Sequence, residues 1–505
     1  MKLIKSRSKF LLKSWVYKPA LAAFFLGVSR LPIHLGFLVF IGLIPLFSLF
    51  DEKPAFKKLI VSAFVFSVVY TSVTLHWISL VTLPGYLGIY LVFGVYFLAL
   101  FLLINFFRSR FYRWRFIIFI LFWLCFEYVQ NFGEFRFPWL NIGYSLGDYL
   151  LLVQTAEIGG VYLISVQVII INILIYQMRK NAWKYLMFLI LFLLIWVGYG
   201  KIRLRSLRLN ETGINIALVQ VSVPQDKKWE TTYLDSTISL YETYTRLAAV
   251  SQPDLIIWPE SALPVYLIKT YRYLSFVRQL AGELNSDIFT GYPDYEIAEK
   301  SHPNLYKFYN SAGVFYKTGK ISQPYRKIFL VPFGERMPFL KIFPVLWNIQ
   351  LGQANFEFGE KLLYYKLGGY CYSPLICFEI VFPKLSLEMA ESKVDFIVNI
   401  TNDAWFKRSA GTYQHAVMSR FRTIETRKQI YRCANTGYSF IVLPTGEYLH
   451  FTELYEKTTI EAPLYIYPHT TFYVEYLSWF PLIAPVGILL LAIVILVRII
   501  RRKGK

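Results

Sequence analysis

The sequence predicts a polytopic α-helical membrane domain joined to an α/β domain. Two patterns predict this. Long apolar runs fill both ends of the 505-residue chain, whereas residues 213–470 alternate short Val-, Ile- and Phe-rich runs with helical patterns. Composition agrees, at 56% hydrophobic and only 17% charged, against about 25% charged in ordinary globular chains.

The apolar runs fall near 19–30, 32–50, 59–80, 86–106, 116–129, 149–177, 183–199 and 477–497. Several approach the ~20 residues that cross a bilayer. The first, fifth and seventh are short or interrupted, and Gly and Pro inside the apolar runs are better tolerated in membrane helices than in soluble ones. Residues 1–200 therefore read as about seven transmembrane helices and 477–497 as one more.

Lys and Arg set the orientation. Residues 1–18 carry Lys2, Lys5, Arg7, Lys9, Lys13 and Lys18 with no acid, and Lys53–Lys58, Arg108–Arg115 and Arg179–Lys184 fall on the same side. The loops around Leu80–Gly85 and Gln130–Asp148 carry few charges. Seven crossings put residues 213–470 outside, and the last span returns to the basic tail Arg498–Lys505. Both termini are then cytoplasmic. Lys201–Arg208 dissents, being basic on the outer side. A basic start before an apolar run also fits a cleaved signal peptide, but no convincing small-residue site follows and further spans come directly after.

The formal charge of +21 clusters beside apolar runs, so it reads as membrane-edge charge rather than a nucleic-acid surface. Four cysteines without a CxxC pair, and six scattered histidines, lead us to expect neither a disulfide scaffold nor a metal site.

In the central region, strands are read at Ile214–Val223, Leu255–Trp258, Asp287–Thr290, Ser311–Tyr316, Ser373–Phe378, Phe396–Ile400 and Phe440–Leu443. Helical patterns lie at Tyr233–Val250 and Gln414–Ala434. Continuous apolar strands interleaved with helices imply a layered α/β architecture.

Three strand-end segments carry chemistry. Asp254-Leu-Ile-Ile-Trp-Pro-Glu260 runs an apolar strand into Pro259 and presents Glu260. Tyr325-Arg-Lys327 is followed by Val331-Pro-Phe-Gly-Glu335, and Leu375-Ile-Cys377-Phe-Glu379 ends another apolar strand. Sites in α/β sheets gather at strand ends. A thiol needs help to become a thiolate; a lysine favours the anion and a glutamate accepts the proton. Read singly, each has a plainer reading. Glu260 fits a solvated turn, Lys327 a solvated loop cation, and Cys377 a buried thiol or a disulfide partner of Cys371.

In order and context these segments resemble the Glu–Lys–Cys site of the carbon–nitrogen hydrolase (nitrilase) superfamily. The whole chain resembles its membrane branch, the apolipoprotein N-acyltransferases. Further segments carry the likeness: Phe137-Pro-Trp-Leu-Asn-Ile-Gly-Tyr144, Gln220-Val-Ser-Val-Pro-Gln225 with Trp229, and Tyr309-Asn310. Asn402-Asp-Ala-Trp-Phe406, Gln414-His415 and Ala434-Asn-Thr-Gly-Tyr438 complete the set. Phe378 departs from it, standing where some relatives have Tyr.

The resemblance implies an α-β-β-α sandwich on the periplasmic side of a bacterial inner membrane, working without a cofactor. It implies a ping-pong reaction in which Cys377 takes an acyl group from a phospholipid and passes it to the α-amine of a diacylglyceryl apolipoprotein. Glu260 would be general base and acid. Lys327 and the Phe378 N–H would hold the oxyanion, Glu335 and Glu379 would orient the site, and Trp229 would line the substrate path.

Met337–Leu351 is unusually apolar for a loop. Phe339, Leu340, Phe343, Leu346 and Trp347 are expected either to form a membrane-facing gate or to pack beneath the domain. Glu127 and Glu157, near span edges, read as interfacial acids rather than functional ones. Two other readings compete: a membrane-tethered amidase that passes its acyl group to water, and a transporter or scaffold with an inert outer domain.

Overall fold

The computed structural model describes residues 13–299, 304–348 and 355–503. Lys2, Lys5, Arg7 and Lys9 of the basic start, residues 349–351 of the apolar loop, and the last two residues lie outside this range. The chain divides into two compact units: Met1–His76, Tyr86–Arg203 and Tyr476–Lys505 in one, Trp77–Gly85 and Leu204–Glu475 in the other.

The first unit is helical: α1 (Ser14–Val28), α2 (Gly36–Asp51), α3 (Phe56–Leu75), α4 (Leu83–Arg110), α5 (Arg115–Val129), α6 (Ala156–Gln177) and α7 (Ala182–Ser206). A last helix covers Ile483–Lys503. Among the described residues, five helices are long and apolar enough to cross a membrane: Phe56–Leu75, Leu83–Arg110, Ala156–Gln177, Ala182–Ser206 and Tyr473–Arg501.

Breaks within these helices have visible remedies, as lipid demands of any freed backbone group. The α2 helix is interrupted at Leu43, where Asn172 accepts from the Leu43 N–H (2.9 Å) and donates to the Val39 carbonyl (2.8 Å). The run read as 149–177 is not one helix: Leu150–Val153 is separate, and Gly159 and Gly160 interrupt α6, Gly160 at φ 66°. Glu127 is fully buried and accepts from the Ile142 N–H and the Trp123 indole. Glu157 accepts from Tyr199 and Arg203. Both acids therefore serve as internal acceptors for named donors.

The second unit holds β1 (Asn210–Gln220), α8 (Leu234–Ala248), β2 (Leu255–Ile257), α9 (Tyr271–Leu284), β3 (Asp287–Ile297), β4 (Tyr306–Phe315) and β5 (Tyr325–Arg326). Then follow β6 (Tyr365–Leu367), β7 (Tyr370–Ile376), α10 (Pro383–Glu391), β8 (Phe396–Thr401), α11 (Ala410–Thr426), β9 (Gln429–Ala434), β10 (Phe440–Val442), β11 (Tyr448–Leu449) and β12 (Thr458–Ile466). One sheet runs β12-β1-β2-β3-β4-β5 and the other β11-β10-β9-β8-β7-β6. The centre of each is parallel, β1-β2-β3 and β7-β8-β9.

Alternation along β1 explains the layers. Ile216 and Leu218 face the other sheet, meeting a core that includes Phe396, Val398, Tyr431 and Cys433. Ala217 and Val219 point the opposite way, with Tyr241 of α8 and Leu280 of α9. With α11 packed on β9 and β10, the unit is an α-β-β-α sandwich.

Two sequence readings are corrected. The helical pattern over Gln414–Ala434 ends at Thr426, because Arg427 turns left-handed (φ 55°) and the β-branched and aromatic residues that follow form fully buried β9. The run 59–80 stops as α3 at Leu75. Trp77 instead belongs to the second unit, where its indole donates to Gln414 (3.1 Å) and its ring lies 4.7 Å from Phe406. Gly411 is needed there, since a Cβ would come within 2.5 Å of the Trp77 ring.

The cysteines are free thiols. Cys371 and Cys433 lie on β7 and β9 with β8 between them, beyond disulfide reach.

Phe396 is fully buried between the sheets. Phe396→Ala is expected to cost about 3–5 kcal/mol, measured by thermal unfolding in detergent, whereas exposed Ile297→Ala is expected to cost under about 0.5 kcal/mol.

Candidate active site

Glu260, Lys327 and Cys377 each follow the end of a strand: β2, β5 and β7. The apolar strands bury themselves between layers and deliver the next polar residue to the sheet edge. Gly291 of β3 lets the Glu260 turn approach, because a Cβ there would meet the Glu260 Cα at 2.9 Å.

Lys327 is the buried cation of the group. Its Nζ donates to Glu335 Oε1 at 2.8 Å and lies 3.8 Å from Glu260 Oε1. Burial alone would lower its pKa, but Glu335, Glu260 and Cys377 outweigh burial and hold it well above the ordinary lysine value. It is an ammonium. Asn310 bridges the two carboxylates, donating to Glu260 (2.7 Å) and Glu335 (3.1 Å). The other Glu260 oxygen accepts from the Asn402 N–H at 2.8 Å, and Glu335 Oε2 accepts from the Val331 N–H at 2.9 Å.

Cys377 sits at φ 52°, outside the comfortable region for a side-chain-bearing residue. Burial pushes its thiol well above the ordinary cysteine range; Glu260 adds to this and Lys327 opposes it. The resting sulfur is therefore a protonated thiol that needs a base.

Glu379 ties the two sheets together at this edge. Its carboxylate accepts from the Tyr325 hydroxyl (2.9 Å), the Ile328 N–H (2.6 Å) and the Phe329 N–H (3.2 Å) on the Lys327 side. On the Cys377 side it accepts from the Ile376 N–H at 2.7 Å. Burial raises its pKa to about 7.

A second polar chain reaches Cys377 from α11. His415 Nε2 lies 3.1 Å from the Cys377 carbonyl, which can only accept, so Nε2 carries the proton. His415 Nδ1 faces Asp403 Oδ1 at 2.8 Å and Arg432 Nη2 at 3.0 Å, and Arg432 also meets Asp403 Oδ2 at 2.7 Å. Asp403, His415 and Cys377 bring ligand-type atoms within 4.8 Å of one another, the one such grouping among the described residues. Arg432 already supplies the positive charge there.

The structure thus gathers Glu260, Lys327, Cys377, Glu335 and Glu379. Phe378 is buried with its ring edge-on to Phe382 (5.1 Å). Trp229 is half exposed, and it is its neighbour Lys228, fully buried, that reaches the Glu260 carbonyl (3.2 Å). In the apolar loop Phe343 is exposed and Phe339, Leu346 and Trp347 are half-buried. Leu340 is only 2% exposed and packs inward. Sequence reasoning gave no role to Lys228, Asn310, Asn402, His415 or Arg432. A charged residue within the apolar run that became β9 was the available signal for Arg432.

Residues 215–465 match the family model of the carbon-nitrogen hydrolases, and residues 22–174 match that of the apolipoprotein N-acyltransferase N-terminal domain. The apolipoprotein N-acyltransferase of Geobacter metallireducens is 33% identical over 372 residues, 71% of this chain and 70% of that protein. This chain belongs to the apolipoprotein N-acyltransferase family. The family member from Chlorobaculum tepidum is 27% identical over 498 residues, 92% of this chain and 93% of its own length. Among solved structures, an amidase from Nesterenkonia sp. is similar at 15% identity and a TM-score of 0.40, covering 54% of this chain and 95% of that one. Family membership and the long apolar helices make this an integral inner-membrane protein.

Two outcomes test the geometry. Glu260→Gln removes a charge that raises the Cys377 thiol, so the pH midpoint of iodoacetamide labelling at Cys377 is expected to move down; an upward move would contradict the arrangement. His415→Leu removes the donor that holds the Cys377 carbonyl and is expected to lower kcat about 10²-fold with little change in KM. His415→Gln, which keeps a donor, is expected to recover part of that loss.

Proposed function

We propose that this protein transfers a fatty acyl group from a phospholipid, through a thioester on Cys377, to the N-terminal α-amine of the diacylglyceryl-cysteine of apolipoproteins. The observation that carries the mechanism is the buried Lys327 ammonium held beside Glu260 and Glu335, within electrostatic reach of a protonated Cys377. The family assignment supplies the reaction class.

In the first half-reaction Glu260 accepts the Cys377 proton and the sulfur attacks the ester carbonyl. Lys327 Nζ and the Phe378 N–H stabilise the tetrahedral oxyanion. Its collapse breaks the ester C–O bond, and Glu260 returns the proton to the departing lysophospholipid oxygen. In the second half the lipoprotein amine attacks the thioester, Glu260 takes the amine proton, and the leaving sulfur recovers it. Glu335 and Glu379 act as positioning residues: one orients Lys327 and the other joins the Lys327 and Cys377 turns.

Both substrates are lipid-anchored, so a site tethered beside the bilayer meets them at high effective concentration. In this reading the catalytic unit is periplasmic and both termini are cytoplasmic, which the basic loops at 53–58, 108–115 and 179–184 support. Phe339, Phe343 and Trp347 meet lipid at the entrance, Leu340 anchors their loop from inside, and Trp229 lines the path.

Purified enzyme incubated with phospholipid and no acceptor is expected to gain one hydroxylamine-sensitive acyl group on Cys377 by intact-mass measurement. A diacylglyceryl lipopeptide is expected to discharge it. Cys377→Ala gains none, and Glu260→Gln loads about 10²- to 10⁴-fold more slowly. A folded enzyme that gains no adduct and instead turns over a small soluble amide is a hydrolase.

A further inference from the structure

Four helix ends of the membrane unit meet at Asp51. It closes α2; Arg108 lies in the last turn of α4, Arg115 opens α5, and Arg179 follows α6 by two residues. Asp51 Oδ2 accepts from Arg179 at 2.6 Å and from the Tyr176 hydroxyl at 2.9 Å. Its Oδ1 faces Arg108 Nη1 and Arg115 Nε, each at 3.6 Å, too far for a hydrogen bond.

Two features of this cluster are unbalanced. One carboxylate stands among three guanidinium groups, leaving two positive charges over. Arg108 Nε and Nη1 and Arg115 Nε are buried without a hydrogen-bond partner, and the Arg108 side chain is only 4% exposed. Buried donors of this kind call for an acceptor. Aromatic rings fix the guanidinium planes without using the N–H groups: Arg115 lies 4.6 Å from Tyr112 and 4.4 Å from Phe116, and Arg179 lies 3.6 Å from Tyr176. Water would satisfy the donors but not the charge. A phosphate group does both, because its oxygens accept in the forked geometry that arginine presents.

We propose that Arg108, Arg115 and Arg179, gathered around Asp51 at the basic end of the membrane unit, form a binding site for a phosphate group. Its sources are the headgroup of an anionic phospholipid in the adjoining leaflet or free phosphate. The site is separate from the donor lipid's reaction at Cys377. It stands on the membrane unit's own geometry, so it survives if the thioester mechanism fails.

The test uses full-length protein in nanodiscs. Native mass spectrometry with mixed phosphatidylglycerol and phosphatidylcholine is expected to show phosphatidylglycerol retained in preference. The Arg108→Gln/Arg115→Gln double variant is expected to lose that preference, at about fivefold per arginine. Asp51→Asn leaves one more net positive charge and is expected to retain the anionic lipid more tightly; a purely structural ion cluster would gain no lipid from that change. In nanodiscs of phosphatidylcholine alone, inorganic phosphate that binds wild type and not the double variant identifies free phosphate as the occupant. If the double variant does not fold, Arg179→Gln, at a position 44% exposed, serves in its place. Equal retention of both lipids by wild type with no phosphate binding overturns the proposal, as does wild-type behaviour in the arginine variants.

Discussion

The Glu379 carboxylate is the constraint on which the site depends. It collects N–H and O–H donors from the turn after β5 in one sheet and from the end of β7 in the other. Without a shared acceptor, those two strand ends would carry unpaired backbone donors in a dry interior, a costly state. One buried side chain therefore sets the spacing between Lys327 and Cys377. The carboxylate is fully buried, and that burial raises its pKa to about 7.

Charge is arranged around that frame in two separate circuits. Lys327 is flanked by Glu335 and Glu260, and Asn310 bridges the same two carboxylates. The lysine stays charged although fully buried, and Glu260 keeps one oxygen on Asn310 and the other on the Asn402 N–H. The second circuit runs Arg432–Asp403–His415 and ends on the Cys377 carbonyl. It holds the backbone at Cys377 by a hydrogen bond, and the Asp403 charge also helps to raise the thiol. The left-handed turn at Cys377 costs energy, and a hydrogen bond to its carbonyl helps to offset that cost.

The membrane unit obeys the same rule in a drier solvent. Asn172 serves the break in α2, and Glu127 serves the loop at Ile142. Glu157 joins α6 to α7 through Tyr199 and Arg203. Polar residues that look anomalous in an apolar run turn out to be acceptors for specific donors.

The apolar runs, the basic loops and the three strand-end segments were legible in the sequence because each is local. Apolar length reports a helix, a continuous Val- and Ile-rich run reports a buried strand, and the residue just beyond it reports a sheet edge. So Glu260, Lys327 and Cys377 stood out as candidates before any fold was seen, though the local pattern left each a plainer reading and only the family resemblance implied their roles. What tertiary structure alone decided is everything that joins distant positions. Asn402 donates to Glu260 across 142 residues, and Trp77 leaves the α3 run to meet Gln414 337 residues away. The β9 segment reads as a continuation of α11 until Arg427 turns left-handed and the sheet claims the residues after it. Leu340 looks like its exposed neighbours in the same apolar loop, yet it packs inward. Periodicity records which residues avoid water; only the packed chain decides which buried donor meets which acceptor, because that pairing depends on distances that no local pattern encodes.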